Sequence, residues 1–135
     1  MSMSIKEIEG IGPVYAEKLA AAGVHTTAQL LERASTSAER LRLADEAQLG
    51  EDQITHWTHQ ADLARVQGVG QEFSELLVRA GVRTVPKLAF RSPERLHAEL
   101  ATYNTEHKLV RRLPSVSELG AMIAHAKTLP KIIRH

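Results

Sequence analysis

One pattern, stated twice, constrains this chain more than any other feature. Ile8-Glu9-Gly10-Ile11-Gly12 leads into Leu19, Ala22-Gly23-Val24, Thr26 and Leu30. Val66-Gln67-Gly68-Val69-Gly70 leads into Leu77, Ala80-Gly81-Val82, Thr84 and Leu88. The offset holds at 58 residues from Ile8 to Arg33, and 10 of those 26 positions are identical. A repeat in fixed register is the signature of a duplicated supersecondary unit. Ser37-Ala38-Glu39-Arg40-Leu41 also resembles Ser92-Pro93-Glu94-Arg95-Leu96, now at an offset of 55, which carries the duplication further. Two modules are expected, 1–62 and 63–135. A unit of about 65 residues buries only roughly 60% of its unfolded surface, so the two are expected to pack together.

Helix punctuation is dense and strand signals are absent. Gly12-Pro13 opens a helix with proline at its first position, where the missing N–H costs nothing. Gly23 ends it, because glycine accepts the left-handed conformation past a helix end. Thr26 with Gln29, Thr36 with Glu39, and Ser115 with Glu118 have capping-box spacing. A longer helix is expected from about Glu51 through Ile54, Trp57 and Ala61, on apolar residues three and four apart. In the second module Leu63 and Val66 stand where Ile5 and Ile8 stood, as the helix entering the glycine turn. Gly81 and Pro86 punctuate the next elements, and Ser92-Pro93 starts another helix. Thr102–Thr105 reads as a turn. The expected class is all-α, with four to five short helices per module.

Composition closes several routes. Cysteine is absent, which excludes disulfides, thiolate metal sites and a cysteine nucleophile. No run approaches the ~18 apolar residues of a membrane helix, and the N-terminal residues do not resemble a secretion signal. A soluble, cytoplasmic protein without a membrane partner is the expectation. Net charge is only +1, but it is unevenly spread. Residues 1–62 hold 5 Lys/Arg against 10 Asp/Glu, and residues 63–135 hold 12 against 6. Such asymmetry points toward nucleic acid, or more simply toward halves that attract each other.

The Gly-x-Gly turn has a chemistry of its own. Its glycines allow a tight fold and close approach by a ligand. The helix that follows at once aims unpaired N–H groups and the positive end of its dipole at the turn. That combination is an anion site needing no charged side chain. Phosphate held this way gives position without sequence preference.

Ile8 through Leu19, closing with Ala22-Gly23-Val24, resembles the helix-hairpin-helix motif of DNA-repair and recombination proteins. Val66 to Val82 matches it too, with Ser74 at the motif's alanine position, held in the first copy by Ala16. Further stretches are similar to a bacterial family of tandem helix-hairpin-helix proteins known only as a domain of unknown function. They include Trp57, Ala61-Asp62-Leu63, Asn104, Arg111-Arg112-Leu113-Pro114-Ser115 and Ala126-Lys127-Thr128-Leu129-Pro130. The motif resemblance implies sequence-independent binding of a DNA backbone, often across the minor groove, through turn amides and sometimes a bound monovalent cation. Carried over by position, the sites are Gly10, Ile11, Gly12 and Val14, then Gly68, Val69, Gly70 and the turn into Glu72. The 58-residue separation is wider than in the compact tandem motif, and Glu9, Glu17, Glu72 and Glu75 crowd the turns.

A carboxylate in a helix's first turn competes with phosphate for the same amides, with a dipole stabilisation of ~0.3–1 kcal/mol. Glu72 is placed to do so, whereas the first turn has Pro13 and Val14 there and Lys18 one turn later. The first turn is therefore the better phosphate site. Arg79, Arg83, Lys87, Arg91 and Arg95 recur every four residues through the second module; of these Arg79, Arg83 and Lys87 join Lys18 as candidate phosphate contacts. Arg33 and Arg91, matched in the repeat, are expected to satisfy carbonyls or carboxylates internally. His56 and His59, with Asp52 nearby, have helical spacing but no zinc pattern, so a structural role is expected. Trp57 belongs to the core, and Tyr15 and Phe73, paired at offset 58, should pack beside their turns. No catalytic motif is present. The expected function is non-enzymatic nucleic-acid binding, most directly to DNA. The alternative is a protein-interaction adaptor whose turns are structural.

Overall fold

The computed structural model describes residues 3–134 and is helical throughout, with eight α-helices, one short 3-10 helix and no strand among the described residues. The 3-10 helix Ile5–Glu7 is followed by α1 (Pro13–Ala21), α2 (Thr27–Arg33), α3 (Ser37–Ala47) and α4 (Glu51–Leu63). Then come α5 (Gln71–Arg79), α6 (Val85–Ala89), α7 (Pro93–His107) and α8 (Val116–Ala126). Local chemistry explains most boundaries. The Thr26 hydroxyl accepts from the Gln29 amide while the Gln29 side chain accepts from the Thr26 amide, and Ser115 and Glu118 repeat that reciprocal box. Thr36, Thr84 and Ser92 cap α3, α6 and α7 with their side chains. Gly23 and Gly81 stand beyond α1 and α5 at φ of +87° and +101°.

The chain divides into two compact units. The first holds the residues up to Asp62 together with 132–134, and the second holds Leu63–Lys131. The second module read from the sequence thus cedes its last residues, because Ile133 is buried in the first core and the Arg134 amide donates to the Ser35 carbonyl. The first core gathers Ile5, Ile8, Leu19, Leu30, Leu43, Ile54 and Trp57; the second gathers Leu63, Val66, Leu76, Leu77, Leu88, Leu96, Leu100 and Leu119. Arg40 is buried in the first unit, where its guanidinium donates to the Ala34 carbonyl at 3.0 Å. Burial lowers its pKa, and Glu51 opposes that.

Two local expectations are corrected. Thr102–Thr105 is not a turn but part of α7. Thr102 and Thr105 donate their hydroxyls to the carbonyls of Ala98 and Ala101, four residues back, and so stay within the helix. The turn comes after it, where the Asn104 amide oxygen accepts from Leu109 and Val110. The elements entering the two glycine turns also differ, being a 3-10 helix in one unit and the end of α4 in the other.

The duplication reaches further than the sequence reading carried it. α4 and α8 correspond at an offset of 65. Gly50 donates to Gln53 Oε1 at 3.0 Å, as Ser115 donates to Glu118 Oε1 at 2.9 Å. Ile54 and Leu119 are fully buried, as are, nearly, Ala61 and Ala126. The register changes because α7 has 15 residues where α3 has 11, and the connection 108–115 is longer than 48–50.

Candidate functional site

Each glycine turn is built from the same hydrogen bonds. Ile8 donates to the Ile5 carbonyl, Ile11 to Ile8 and Ala16 to Gly12; Val66, Val69 and Ser74 do the same with Leu63, Val66 and Gly70. Gly10 and Gly68 lie at φ of +96° and +95°, which an L side chain rarely adopts. Gly12 and Gly70 are extended and serve as N-caps of α1 and α5. Neither has a side-chain capping bond, whereas Ser4, Thr26, Thr36, Thr84, Ser92 and Ser115 all cap their helices. The amides of Val14 and Tyr15 in the first turn of α1 lie beyond the reach of intrahelical acceptors, and glycine supplies no substitute. They face an exposed turn formed by Gly10, Gly12, Pro13 and Val14.

The back wall of each turn comes from far along the chain. A Cβ at Gly10 would sit 3.6 Å from Trp57 Nε1, and one at Gly68 would sit 3.3 Å from Met122 Cε. Trp57 and Met122 are equivalent at the 65-residue offset. Three residues on, Gln60 Nε2 donates to the Glu9 carbonyl at 3.1 Å, and His125 Nδ1 accepts from the Gln67 amide at 2.8 Å. The two turns are thus braced at the same place by bonds of opposite sense. Beside the second lies a groove of about 410 Å³ lined by Gln67, Gly68, Glu118, Ala121, Met122 and His125. The Glu118 carboxyl there is held below the usual carboxylate range, first by the Ser115 backbone amide and then by the Arg112 guanidinium.

The sequence-derived site residues separate into groups. Gly10, Gly12 and Val14 lie at one exposed turn, and Gly68 and Gly70 at another in the second unit. Ile11 and Val69 are buried and their amides are engaged inside the turns, so they support the backbone without facing a ligand. Lys18 points elsewhere: its Nζ donates to the Gln48 carbonyl at 3.3 Å, at the C-terminal end of α3. Arg79, Arg83 and Lys87 are exposed and have no ion pair among the described residues. Arg91 pairs with Glu99 at 2.6 Å, and Arg33 reaches the Ala22 carbonyl and Glu46. Glu72 stands exposed in the first turn of α5, while the first turn of α1 has no acid.

The paired rings pack inward, as their place beside the turns led one to expect. Tyr15 packs on Trp57 with centroids 5.3 Å apart, and Phe73 is buried. Phe90, which the sequence reading passed over, is 89% exposed. Its signal was available: Val85, Leu88 and Ala89 define the inward face of α6, and Phe90 falls off it. No group of three or more His, Asp or Glu side chains suited to a metal ion occurs among the described residues. No helix among them is long and apolar enough to cross a membrane.

A family model described as Domain of unknown function (DUF4332) matches residues 9–129. The chain belongs to this family. The match spans both glycine turns and ends before the segment 132–134. No curated protein and no solved structure matches the chain.

Proposed function

We propose that this protein is a non-enzymatic binder of nucleic-acid backbones, DNA first, acting without sequence preference. One observation carries the reading. The helices that follow the two Gly-x-Gly turns begin without side-chain caps, whereas Ser or Thr caps α2, α3, α6, α7 and α8, and α4 starts after Gly50. The Val14 and Tyr15 amides at the positive dipole end of α1 suit a phosphate oxygen. The first turn is the stronger site, since Val14 stands where the second has Glu72. Exposed Arg79, Arg83 and Lys87 supply long-range attraction from the second unit. Nothing in this reading requires a metal, although a monovalent cation bridging turn carbonyls and phosphate is compatible with the exposed backbone.

The test is a titration of labelled duplex DNA at ~50 and ~200 mM salt, where each neutralised phosphate adds about 0.9 to the logarithmic salt slope. Binding that steepens with the number of contacts supports the reading. Absence of binding at ~50 mM salt, or affinity indifferent to salt, overturns it. Gly12→Val, with helicity verified, isolates the first turn: a folded variant that binds as well as the parent assigns the contact to basic side chains alone. Carboxylates beside the second turn, Glu72 and Glu118, favour a second reading for that turn as a protein contact. A pulldown that recovers the same protein with the parent and loses it with Glu72→Lys would support it.

A further inference from the structure

From Leu76 to Pro93 the chain carries four cations, Arg79, Arg83, Lys87 and Arg91, and no acid. Arg91 is neutralised by Glu99, which leaves Arg79, Arg83 and Lys87 exposed and unpaired among the described residues. Phe90 lies in this stretch as the C-cap of α6, with 89% of its surface open. It stands three positions after Lys87, so the two share the solvent face of the helix while Val85, Leu88 and Ala89 turn inward. The equivalent position in the first unit, 58 residues earlier, is Glu32. One unit therefore presents a carboxylate where the other presents a ring among cations.

The isolation of that ring selects its ligand. Among the described residues of the second unit no other large apolar side chain is exposed. A protein interface needs a patch of apolar surface, and a membrane-bound helix needs a whole apolar face. One ring provides neither. A nucleobase is matched by one ring, and the phosphates on either side of it are matched by the flanking cations. We propose that Phe90, with Arg83 and Lys87, is a stacking platform for an unpaired base, so that the second unit takes single-stranded nucleic acid. The ligand class rests on the nucleic-acid reading above; the contact, a base on α6, is separate from the glycine turns.

The probe is a labelled oligothymidylate of roughly 15 nucleotides, compared by anisotropy with a duplex of equal length at ~50 mM salt. Phe90→Ala should weaken oligothymidylate binding by roughly 5- to 150-fold and leave duplex binding unchanged. Phe90→Trp should retain binding, and its emission should be quenched by the strand. Because Phe90 is exposed, both variants should melt with the parent protein. Phe90→Ala binding oligothymidylate as tightly as the parent overturns the platform. Binding of duplex alone by the parent also overturns it and leaves the turn reading standing, while binding of neither overturns both. Phe90-dependent strand binding that survives Gly12→Val establishes the platform as independent of the first turn.

Discussion

Two glycines in one turn, two residues apart, should respond unequally to the same substitution. Gly10 lies at φ +96°, and a Cβ there meets nothing closer than Trp57 Nε1 at 3.6 Å, an ordinary contact. The cost of Gly10→Ala is therefore conformational, about 1–3 kcal/mol. Gly12 lies at φ −84° and ψ −178°, and a Cβ there has no neighbour within 4 Å. Gly12→Ala should stay within about 0.5 kcal/mol of the parent, because restricting the unfolded chain offsets the loss of a glycine N-cap without straining the folded backbone. The two variants should then differ by roughly 1–3 kcal/mol, and at ~4 °C per kcal/mol for a chain of this size they should melt roughly 4–12 °C apart. Thermal unfolding followed by circular dichroism at 222 nm measures the gap. Melting temperatures within ~2 °C of each other, or Gly12→Ala as the less stable variant, would refute the assignment of strain to Gly10 alone. Gly68→Ala and Gly70→Ala should reproduce the order, with Met122 shifting to relieve the 3.3 Å contact.

Leu30→Ala and Leu77→Ala, at fully buried positions in the two cores, should each cost about 2–5 kcal/mol in urea unfolding, against less than ~0.5 kcal/mol for Phe90→Ala. Thr26→Ala removes the hydroxyl half of a capping box, leaving the backbone amide of residue 26 to donate to Gln29, and should cost about 0.5–2 kcal/mol in the same assay. The depressed pKa of Glu118 contributes stability that is complete above its unfolded value of ~4.3 and is lost as pH falls through the lower folded value. Glu118→Gln should therefore flatten the acid limb of the melting-temperature profile. In an NMR titration, Arg112→Ala should raise the Glu118 midpoint only part of the way, since the Ser115 amide still donates to the carboxylate.

Much of the helical punctuation was legible because its causes are local. A hydroxyl reaching the amide three residues on, or a glycine accepting positive φ, depends on neighbours within one turn. The correspondence of α4 with α8 was not legible. Its register differs from that of the turns, and its paired residues, Trp57 with Met122 and Gln60 with His125, share a task without sharing chemistry. Lys18 looked like a phosphate contact from its place one turn past Pro13, but only the fold brings the end of α3 to its amine. Thr102–Thr105 looked like a turn because Thr and Asn favour turns, yet the threonine hydroxyls bond back along the helix.

The chain alone settles where most of its helices start, and that two turns share one backbone design. Those outcomes follow from steric and capping preferences acting over three or four residues. It does not settle what stands behind each turn, which rings face solvent, or which cations remain unpaired. Trp57 behind Gly10, Met122 behind Gly68, Ile133 in the first core and Phe90 outside the second are products of packing between segments distant in sequence. Burial is a property of the whole set of neighbours, so the exposure of Phe90 could be fixed only by the packing of the elements around α6.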